Sequence, residues 1–232
     1  MTISIIIPAH NASRTIVKTI KSILAQSKLP EEIIVVDDGS ADNLQSYLSL
    51  IRANVRLERI AHAGAAAARN AGARQAKGDA LFFCDADIEL FPTALQKLEK
   101  ALADNPNAVF AYSAFEWGGR IFGNRDFDPE EVRRNNYIST MSLISRSAFP
   151  GFDETLPRFQ DWDLWLTIIE RGGNGARVPE VLFRVLEEGK MSRRGGLSRL
   201  RATAAVRKKH RLSWRISDFW LAFKESLRAG RL

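Results

Sequence analysis

The stretch from Asp79 to Asp87, which reads Asp-Ala-Leu-Phe-Phe-Cys-Asp-Ala-Asp, constrains the fold more than any other part of the chain. Its run of apolar residues lies between Gly78-Asp79 and two carboxylates, a pattern typical of a short strand that is buried on both faces. We predict that the backbone turns directly after this strand, so that Asp85 and Asp87 can serve one ligand.

Two interpretations apply to this pair of carboxylates. Asp85 and Asp87 can be solvated acids at the end of a strand. Alternatively, they can hold a divalent cation that bridges to phosphate oxygens, which relieves the cost of leaving two carboxylates unpaired. Active sites of open α/β sheets lie at the carboxyl ends of such strands, which supports the second interpretation.

The first hundred residues alternate between strand and helix patterns. Strands are predicted over 2–7, 32–36, 55–60 and 80–84, and helices over 16–24, 44–51, 64–76 and 92–103. This alternation predicts a mostly parallel sheet with helices on both faces, and the small residues over 64–76 predict a helix packed close to it. The dinucleotide fingerprint G-x-G-x-x-G after the first strand and the phosphate loop G-x-x-x-x-G-K-[ST] are both absent.

The alternation is weaker after Asn107. We predict strands over 108–117, 138–145 and 181–186, a helix over 161–171, and no regular element over 118–136. We therefore divide the main domain, 1–189, into a first half, 1–107, and a second half, 108–189. The remaining residues, 190–232, are predicted to form a basic loop and an amphipathic helical tail.

The charge of the chain is concentrated in this tail. Residues 190–232 contain 13 Lys and Arg against 2 Asp and Glu, whereas residues 1–189 contain 21 against 25. Such asymmetry indicates an anionic partner, which can be phosphate, a membrane surface or nucleic acid. The single cysteine, Cys84, excludes an intramolecular disulfide. Since no apolar run reaches ~20 residues and no signal peptide is recognisable, we expect a cytoplasmic protein.

A set of short motifs occurs in one order over roughly residues 2 to 185. These motifs are Ile5-Ile6-Ile7-Pro8-Ala9-His10-Asn11, Ile34-Val35-Val36-Asp37-Asp38-Gly39-Ser40, Ala68-Arg69-Asn70-Ala71-Gly72, Gly78-Asp79, Asp85-Ala86-Asp87, Gly151-Phe152-Asp153-Glu154 and Gln160-Asp161-Trp162-Asp163-Leu164-Trp165. In this order and spacing the chain resembles the family 2 nucleotide-sugar glycosyltransferases of the GT-A fold. Each motif is weak by itself, but the ordered set is specific.

The resemblance implies an inverting transfer of a sugar from a nucleotide diphosphate sugar, expected to be a UDP-sugar, to a hydroxyl of a glycan or lipid-linked acceptor. It implies that Asp161 is the general base and that Asp87 binds Mn²⁺ or Mg²⁺. The nucleotide is assigned to Pro8, Ala9, Asn11, Asp37, Asp38, Arg69 and Asp85. Relatives often supply a further ligand from the loop after the last strand, and here we predict that Lys190, Arg193 or Arg194 contacts the diphosphate. The resemblance also makes 1–107 the nucleotide-binding half of the main domain and 108–189 the acceptor half.

Simpler structural roles remain open for several of these residues. Asp37 and Asp38 can cap the next helix, and Asp161 can be a helix N-cap. Asp163 is expected to be a first-turn acid favoured by the helix dipole. Trp162 and Trp165 are expected to pack in the core, and for Trp162 the resemblance leaves open that it lines the acceptor site.

Two other functions are alternatives to sugar transfer. Nucleotidyl transfer that forms a sugar nucleotide is disfavoured because no glycine-rich, lysine-containing loop follows the first strand. Nucleic-acid binding has only the charge of the tail in its favour. A helical apolar stripe in the tail, formed by Ile216, Phe219, Trp220, Phe223 and Leu227, can bind an anionic membrane surface or pack on protein. The sugar, the acceptor and the oligomeric state are not determined by the sequence.

Overall fold

A computed structural model of the chain describes residues 1–49, 51, 55–186 and 197–213, which form one mixed sheet with helices on both faces. The strands are β1 Ile3–Ala9, β2 Glu32–Asp38, β3 Val55–Ile60, β4 Ala80–Phe83, β5 Ile88–Leu90, β6 Ala108–Trp117, β7 Arg120–Phe122, β8 Leu143–Ser145 and β9 Asn174–Val185. The helices are α1 Ile16–Leu24, α2 Leu44–Ser49, α3 Ala65–Gln75, α4 Ala94–Asp104, α5 Pro129–Arg134, α6 Gln160–Glu170 and α7 Leu197–Lys209.

The sheet has the strand order β3-β2-β1-β4-β8-β6-β9-β5, and β7 pairs with β6 at its side. Strands β1, β2, β3 and β4 are parallel to one another, as are β6 and β9. Strand β8 lies antiparallel between β4 and β6. The carboxyl ends of β1, β2 and β4 therefore meet at one edge, which confirms the predicted, mostly parallel architecture.

Strand β4 lies in the middle of the sheet and is buried on both faces, as predicted. Ala80 and Phe82 belong to the core on one face, whereas Leu81 and Phe83 belong to the core on the other. The backbone turns at Ala86 and Asp87 directly after the strand, before β5 begins. This turn is the predicted one, and it places two carboxylates at the edge where the parallel strands end.

The alanine-rich helix α3 packs close to β1 and β2, as its small residues predict. A Cβ atom at Gly72 would overlap the side chain of Ile6 in β1 and lie 3.2 Å from Cγ2 of Val36 in β2. Glycine at this position therefore sets the distance between the helix and the sheet. The same helix carries Arg69, so this packing also fixes the position of a predicted site residue.

The region 118–136, for which we predicted no regular element, contains β7 and α5. Helix α5 begins with a sequence signal that we missed, because Asp128 is its N-cap and Pro129 follows directly. The Asp128 carboxylate accepts a hydrogen bond of 2.8 Å from the backbone N–H of Glu130. The helix orders the segment that leads to Asn136.

Two predicted strands in the second half have the wrong length. Only Leu143–Ser145 of the strand predicted over 138–145 pairs in the sheet. The Ser139 hydroxyl accepts from Met141 N at 3.2 Å, and the Ser142 hydroxyl donates to Ser139 O at 2.8 Å. Such local bonds compete with strand pairing. The last strand, predicted over 181–186, begins earlier, at Asn174.

Helix α7 packs against α6 through a cluster of charged residues. Asp163 is almost fully buried, and Lys209 and His210 both contact its carboxylate, His210 at 2.9 Å. Asp163 is a first-turn acid of α6, as expected, and its contacts with Lys209 and His210 also make it an anchor for α7. The apolar stripe over 216–227 lies outside the described residues. None of the helices that the structure describes is long and apolar enough to cross a membrane.

The His210 contacts predict a pH-dependent stability. His210 also bonds to Glu170 at 2.9 Å. Burial opposes protonation of the imidazole, but its contacts with Asp163 and Glu170 outweigh burial and raise the pKa of His210. A raised folded-state pKa contributes stability below the unfolded value of about 6.5, and this contribution is lost as pH rises through the folded-state pKa.

His210→Gln is accordingly expected to destabilise the protein by about 1–3 kcal/mol at pH 5.5 and by less at pH 8.5, since hydrogen bonds to charged groups contribute such amounts. Thermal unfolding at the two pH values measures the difference. Lys208→Gln changes an exposed residue at the end of α7, two positions before His210, and serves as the control. An equal loss of stability at both pH values would contradict a charged His210.

Candidate active site

A cavity of about 750 Å³ lies between the turn after β4 and the first turn of α6. Asp85 and Asp87 line it from the first element, and Asp161 lines it from the second. These three carboxylates come from distant parts of the sequence, and the fold brings them to one space. Aromatic residues form much of the remaining wall, namely Phe115, Trp117, Phe122, Tyr137, Phe159 and Trp162.

A smaller pocket of about 260 Å³ adjoins this cavity at Asp85 and Asp87, which line both. Its other walls come from the ends of β1 and β2 and from α3, and consist of Pro8, Ala9, His10, Asp38, Ala65 and Arg69. Most of the residues that we predicted for nucleotide binding therefore surround one pocket. The two carboxylates lie where this pocket meets the larger cavity.

Arg69 connects the smaller pocket to helix α6. Its buried guanidinium forms an ion pair with Asp85 at 2.7 Å and donates to Oε1 of Gln160 at 3.2 Å. It also lies over the ring of Phe152, 5.4 Å from the ring centre. Gln160 directly precedes Asp161, so the guanidinium links the turn after β4 to the predicted base.

Asp161 lies in the first turn of α6, but it is not the N-cap. The N-cap position is held by Phe159, whose φ of 59° is left-handed. The half-buried carboxylate of Asp161 accepts a 2.9 Å hydrogen bond from the backbone N–H of Trp162. Burial raises the pKa of this carboxyl group, although Asn136, the Trp162 N–H and Arg69 act in the opposite direction. A raised pKa makes the carboxylate a stronger proton acceptor.

Three of the predicted nucleotide-binding residues hold loops in place. Asp38 accepts from the backbone N–H groups of Ala63 at 2.7 Å and Gly64 at 2.9 Å, at the start of α3. Asn11 accepts from Ala41 N at 2.9 Å. Asp37 accepts from Ser40 N at 2.8 Å, and Arg59 lies 3.7 Å from its other oxygen. Nucleotide contacts by Asp37, Asp38 and Asn11 remain predictions.

The sequence of residues 4–153 matches the family model described as Glycosyl transferase family 2. The chain belongs to this family. Among its relatives, an uncharacterized glycosyltransferase YwdF of Bacillus subtilis is 30% identical over 182 residues, which cover 72% of this chain and 67% of that protein. The glucosyltransferase WfgD of Escherichia coli is 28% identical over 181 residues, 72% of this chain and 70% of the other. An uncharacterized Rickettsia conorii glycosyltransferase also matches, but the aligned part covers only 31% of its length.

Solved structures of other glycosyltransferases share the fold. S. aureus TarS in complex with UDP-GlcNAc superimposes with a TM-score of 0.74 at 15% identity, over 98% of this chain and 73% of that one. Glucosyl-3-phosphoglycerate synthase of Mycobacterium tuberculosis gives a TM-score of 0.69 at 20% identity, over 92% and 81%. The GT-A fold implied by the motifs is thereby confirmed.

The junction of the two cavities has side chains suited to bind Mg²⁺ or Mn²⁺. Such ions are usually held by one or two carboxylates together with substrate phosphates, and Asp85 and Asp87 offer two carboxylates at one junction. A second group of possible ligands, His10, Asp38 and His62, has its ligand atoms within 4.8 Å of one another. There, however, both ring nitrogens of His10 are already engaged, by Asp38 O at 2.7 Å and Asn11 Nδ2 at 3.0 Å.

Several residues of the cavity wall were missed from the sequence. Asn136 lies next to Asp161, and Arg134, Arg199 and Thr203 line the same space. Asn136 and Arg134 come from the region 118–136, for which we predicted no regular element. Arg199 and Thr203 belong to α7, the basic helix that the sequence places in the tail. Lys190, Arg193 and Arg194, the predicted diphosphate ligands, lie outside the described residues.

Proposed function

We propose that the chain is an inverting, metal-dependent glycosyltransferase that moves a sugar from a UDP-sugar to a hydroxyl of a glycan or lipid-linked acceptor. The observation that carries the proposal is the arrangement of one cavity, with Asp85 and Asp87 at the junction with the nucleotide pocket and Asp161 on α6. The donor then occupies the smaller pocket, and the acceptor enters the larger cavity.

In this reaction Asp161 acts as the general base. Its carboxylate takes the proton of an acceptor hydroxyl while that oxygen forms a bond to the anomeric carbon of the donor. The bond between this carbon and the diphosphate oxygen breaks at the same time, and UDP leaves with the electron pair. Attack on the face opposite the leaving group inverts the anomeric configuration, as in inverting glycoside hydrolases. The raised pKa of Asp161 suits this role.

Asp87 is proposed to hold Mn²⁺ or Mg²⁺. When bound, the ion supplies Lewis-acid stabilisation of the leaving diphosphate. The Asp85 carboxylate already forms an ion pair of 2.7 Å with the Arg69 guanidinium. Asp85 is therefore better suited to accept hydrogen bonds from ribose hydroxyls than to be the main metal ligand. Through its contacts with Asp85 and Gln160, Arg69 in turn fixes the position of the turn after β4 relative to α6.

The donor and acceptor classes are supported by the relatives. WfgD is named a UDP-Glc:alpha-D-GlcNAc-diphosphoundecaprenol beta-1,3-glucosyltransferase. The similar structures are complexes of TarS with UDP-GlcNAc and of glucosyl-3-phosphoglycerate synthase with Mn²⁺ and UDP. A lipid-linked acceptor would bring the enzyme to the inner face of the cell membrane, where the basic tail could contact anionic lipid. That location remains a proposal.

Calorimetric titration of UDP, GDP, CDP and dTDP, with and without Mn²⁺, tests the donor site. UDP is expected to bind with Mn²⁺ present, and Asp87→Ala is expected to remove the Mn²⁺ dependence, because it removes a ligand at the junction of the two cavities. Asp104→Ala, which removes an exposed carboxylate on α4, is the matched control. Equal UDP affinity with and without Mn²⁺ in the wild type would contradict the metal role, and binding of none of the four would contradict the donor site.

A further inference from the structure

The larger cavity carries charge of both signs. The carboxylates of Asp85, Asp87 and Asp161 line it, and the proposed reaction assigns them to the donor, the metal and the base. Arg134 and Arg199 line the same space and have no part in that reaction. Cationic side chains in a cavity favour a ligand of negative charge. The two arginines therefore indicate a further anionic group on the molecule that enters this cavity.

Arg199 lies on α7 and is held against the cavity wall. Its guanidinium lies over the ring of Phe159, 5.5 Å from the ring centre, and Phe159 lines the cavity. Thr203, one turn further along α7, lines the cavity too, so one face of this helix borders it. A guanidinium can stack on an aromatic ring and still pair with phosphate oxygens through its N–H groups. Arg199 is therefore placed to bind an anion in the cavity.

Phe159 has a backbone conformation that a residue of its size rarely adopts. Its φ of 59° lies in the left-handed region, where a bulky side chain is strained. Such conformations persist where the surrounding structure maintains them, and they cluster at functional sites. Here the conformation accompanies a ring that lies under Arg199 and lines the cavity. The strain is a second observation, independent of charge, that points to a binding role for this part of the wall.

Arg134 is the last residue of α5, and its side chain is 56% exposed. Its Nη1 atom forms an ion pair of 2.9 Å with Glu131, one turn earlier in the same helix. A guanidinium has five N–H donors, so this pair leaves room for a second acceptor. Exposed pairs of this kind contribute little stability. A phosphate, which can bind a guanidinium through two oxygens, is therefore able to compete with Glu131.

Helix α7 also holds the backbone at Arg134. The buried Arg207 of α7 donates a long hydrogen bond of 3.5 Å to Arg134 O, and its guanidinium lies over the ring of Trp162. The indole N–H of Trp162 donates to Val132 O at 2.7 Å. The elements that carry Arg134 and Arg199 are thus attached to each other and to α6. This preorganisation lowers the cost of binding one ligand with both arginines.

We propose that Arg134 and Arg199 form a phosphate site in the larger cavity and select an acceptor sugar with a phosphate or diphosphate on its anomeric oxygen. A phosphate at that oxygen leaves the ring hydroxyls available to Asp161. The inference rests on the proposed function, because it assigns the larger cavity to the acceptor. The phosphate can belong to a lipid-linked diphosphate sugar or to a soluble sugar phosphate, and the test distinguishes the two.

The test is calorimetric titration into enzyme saturated with UDP and Mn²⁺, so that the donor pocket is filled. The probes are the 1-phosphates of glucose and N-acetylglucosamine, farnesyl diphosphate N-acetylglucosamine, and the two methyl glycosides, which lack the phosphate. The wild type is expected to bind one of the phosphate probes at least about 10-fold more tightly than its methyl glycoside. Tighter binding of the farnesyl derivative than of the 1-phosphate assigns the phosphate to a lipid-linked acceptor. Equal binding assigns it to a soluble sugar phosphate.

Arg199→Gln is expected to weaken binding of the phosphate probe by about 10-fold, and the more exposed Arg134→Gln by about 3-fold. Transfer to the methyl glycoside and the affinity for UDP are expected to stay unchanged, because neither residue lines the smaller pocket. Arg199→Lys keeps the charge without the planar fork and is expected to recover part of the loss. Arg201→Gln on the same helix and Arg133→Gln beside Arg134 remove the same charge from residues that do not line the cavity, and serve as controls.

Equal affinity of the wild type for the phosphate probes and the methyl glycosides would overturn the inference. Variants that lose phosphate probe and methyl glycoside to the same extent would also overturn it, since they would show a structural role. So would an enzyme that binds UDP with Mn²⁺ but none of the phosphate probes. Failure of the proposed function has a different signature, namely a wild type that binds no UDP with Mn²⁺ and transfers no sugar. Titration of the same probes without UDP would then still measure phosphate binding by the two arginines.

Discussion

Asp161→Asn is expected to lower kcat by about 10²–10⁴-fold, the usual contribution of a general base. The amide has the same shape and can still accept the hydrogen bond of 2.9 Å from Trp162 N, but it cannot take a proton from the acceptor. Because Asp161 does not line the smaller pocket, UDP binding is expected to stay intact. Initial rates of UDP release with saturating acceptor measure the loss, and calorimetry measures the binding.

The wild-type pH profile adds a second check on this residue. A base works in its deprotonated form, so the rate is expected to rise as pH increases through the pKa of Asp161. Burial places this pKa above the usual range for aspartate, and the rise should therefore occur above about pH 3.9. Asp126→Asn, which changes an exposed carboxylate of the same half, is the control. A variant Asp161→Asn with more than a tenth of wild-type kcat would exclude Asp161 as the base.

Gly72→Val is expected to destabilise the fold by about 2–3 kcal/mol, because a side chain at this position has no space between α3 and the sheet. A Cβ atom already overlaps Ile6 and lies 3.2 Å from Val36, and valine adds two methyl groups. Thermal unfolding is expected to show a decrease in Tm of about 5–10 °C for a chain of this size. A shifted α3 would also move Arg69, so UDP binding is expected to weaken.

Arg74→Val places the same side chain on the exposed face of α3 and separates packing from helix propensity. It is expected to change Tm by much less, since surface substitutions are usually within about 0.5 kcal/mol. If both variants unfold at the same temperature, the close contact at Gly72 does not determine the helix position.

The sequence was most informative where local pattern and chemistry agree. Strand β4 is a short apolar run closed by carboxylates, and both its burial and the turn after it were predicted from residues within a few positions of one another. The small side chains of α3 likewise predict, from the local sequence alone, that this helix packs close to the sheet. The motifs around Asp87 and Asp161 indicated the family because their order is specific, although spacing alone could not bring them into one cavity.

Part of the wall of the larger cavity could not be predicted for a physical reason. The segment around Asn136 is positioned by Trp162 and Trp165, which are distant in sequence and donate hydrogen bonds to Val132 O and Ile138 O only after folding. The sequence predicts a separate basic tail over 190–232 because it shows the charges of α7 but not the buried acids that they contact. In the fold, Lys209 and His210 meet the buried carboxylate of Asp163, and Arg199 and Thr203 reach the cavity.

The anomeric configuration of the product tests the central claim most directly. Transfer from an α-linked UDP-sugar to a p-nitrophenyl glycoside, followed by proton NMR of the new linkage, gives the configuration without assumptions about the acceptor in the cell. If Asp161 acts as the base in a single displacement, the product is β-linked, and in Asp161→Asn it forms about 10²–10⁴-fold more slowly. An α-linked product would show that the sugar is not transferred by direct attack from the side of Asp161.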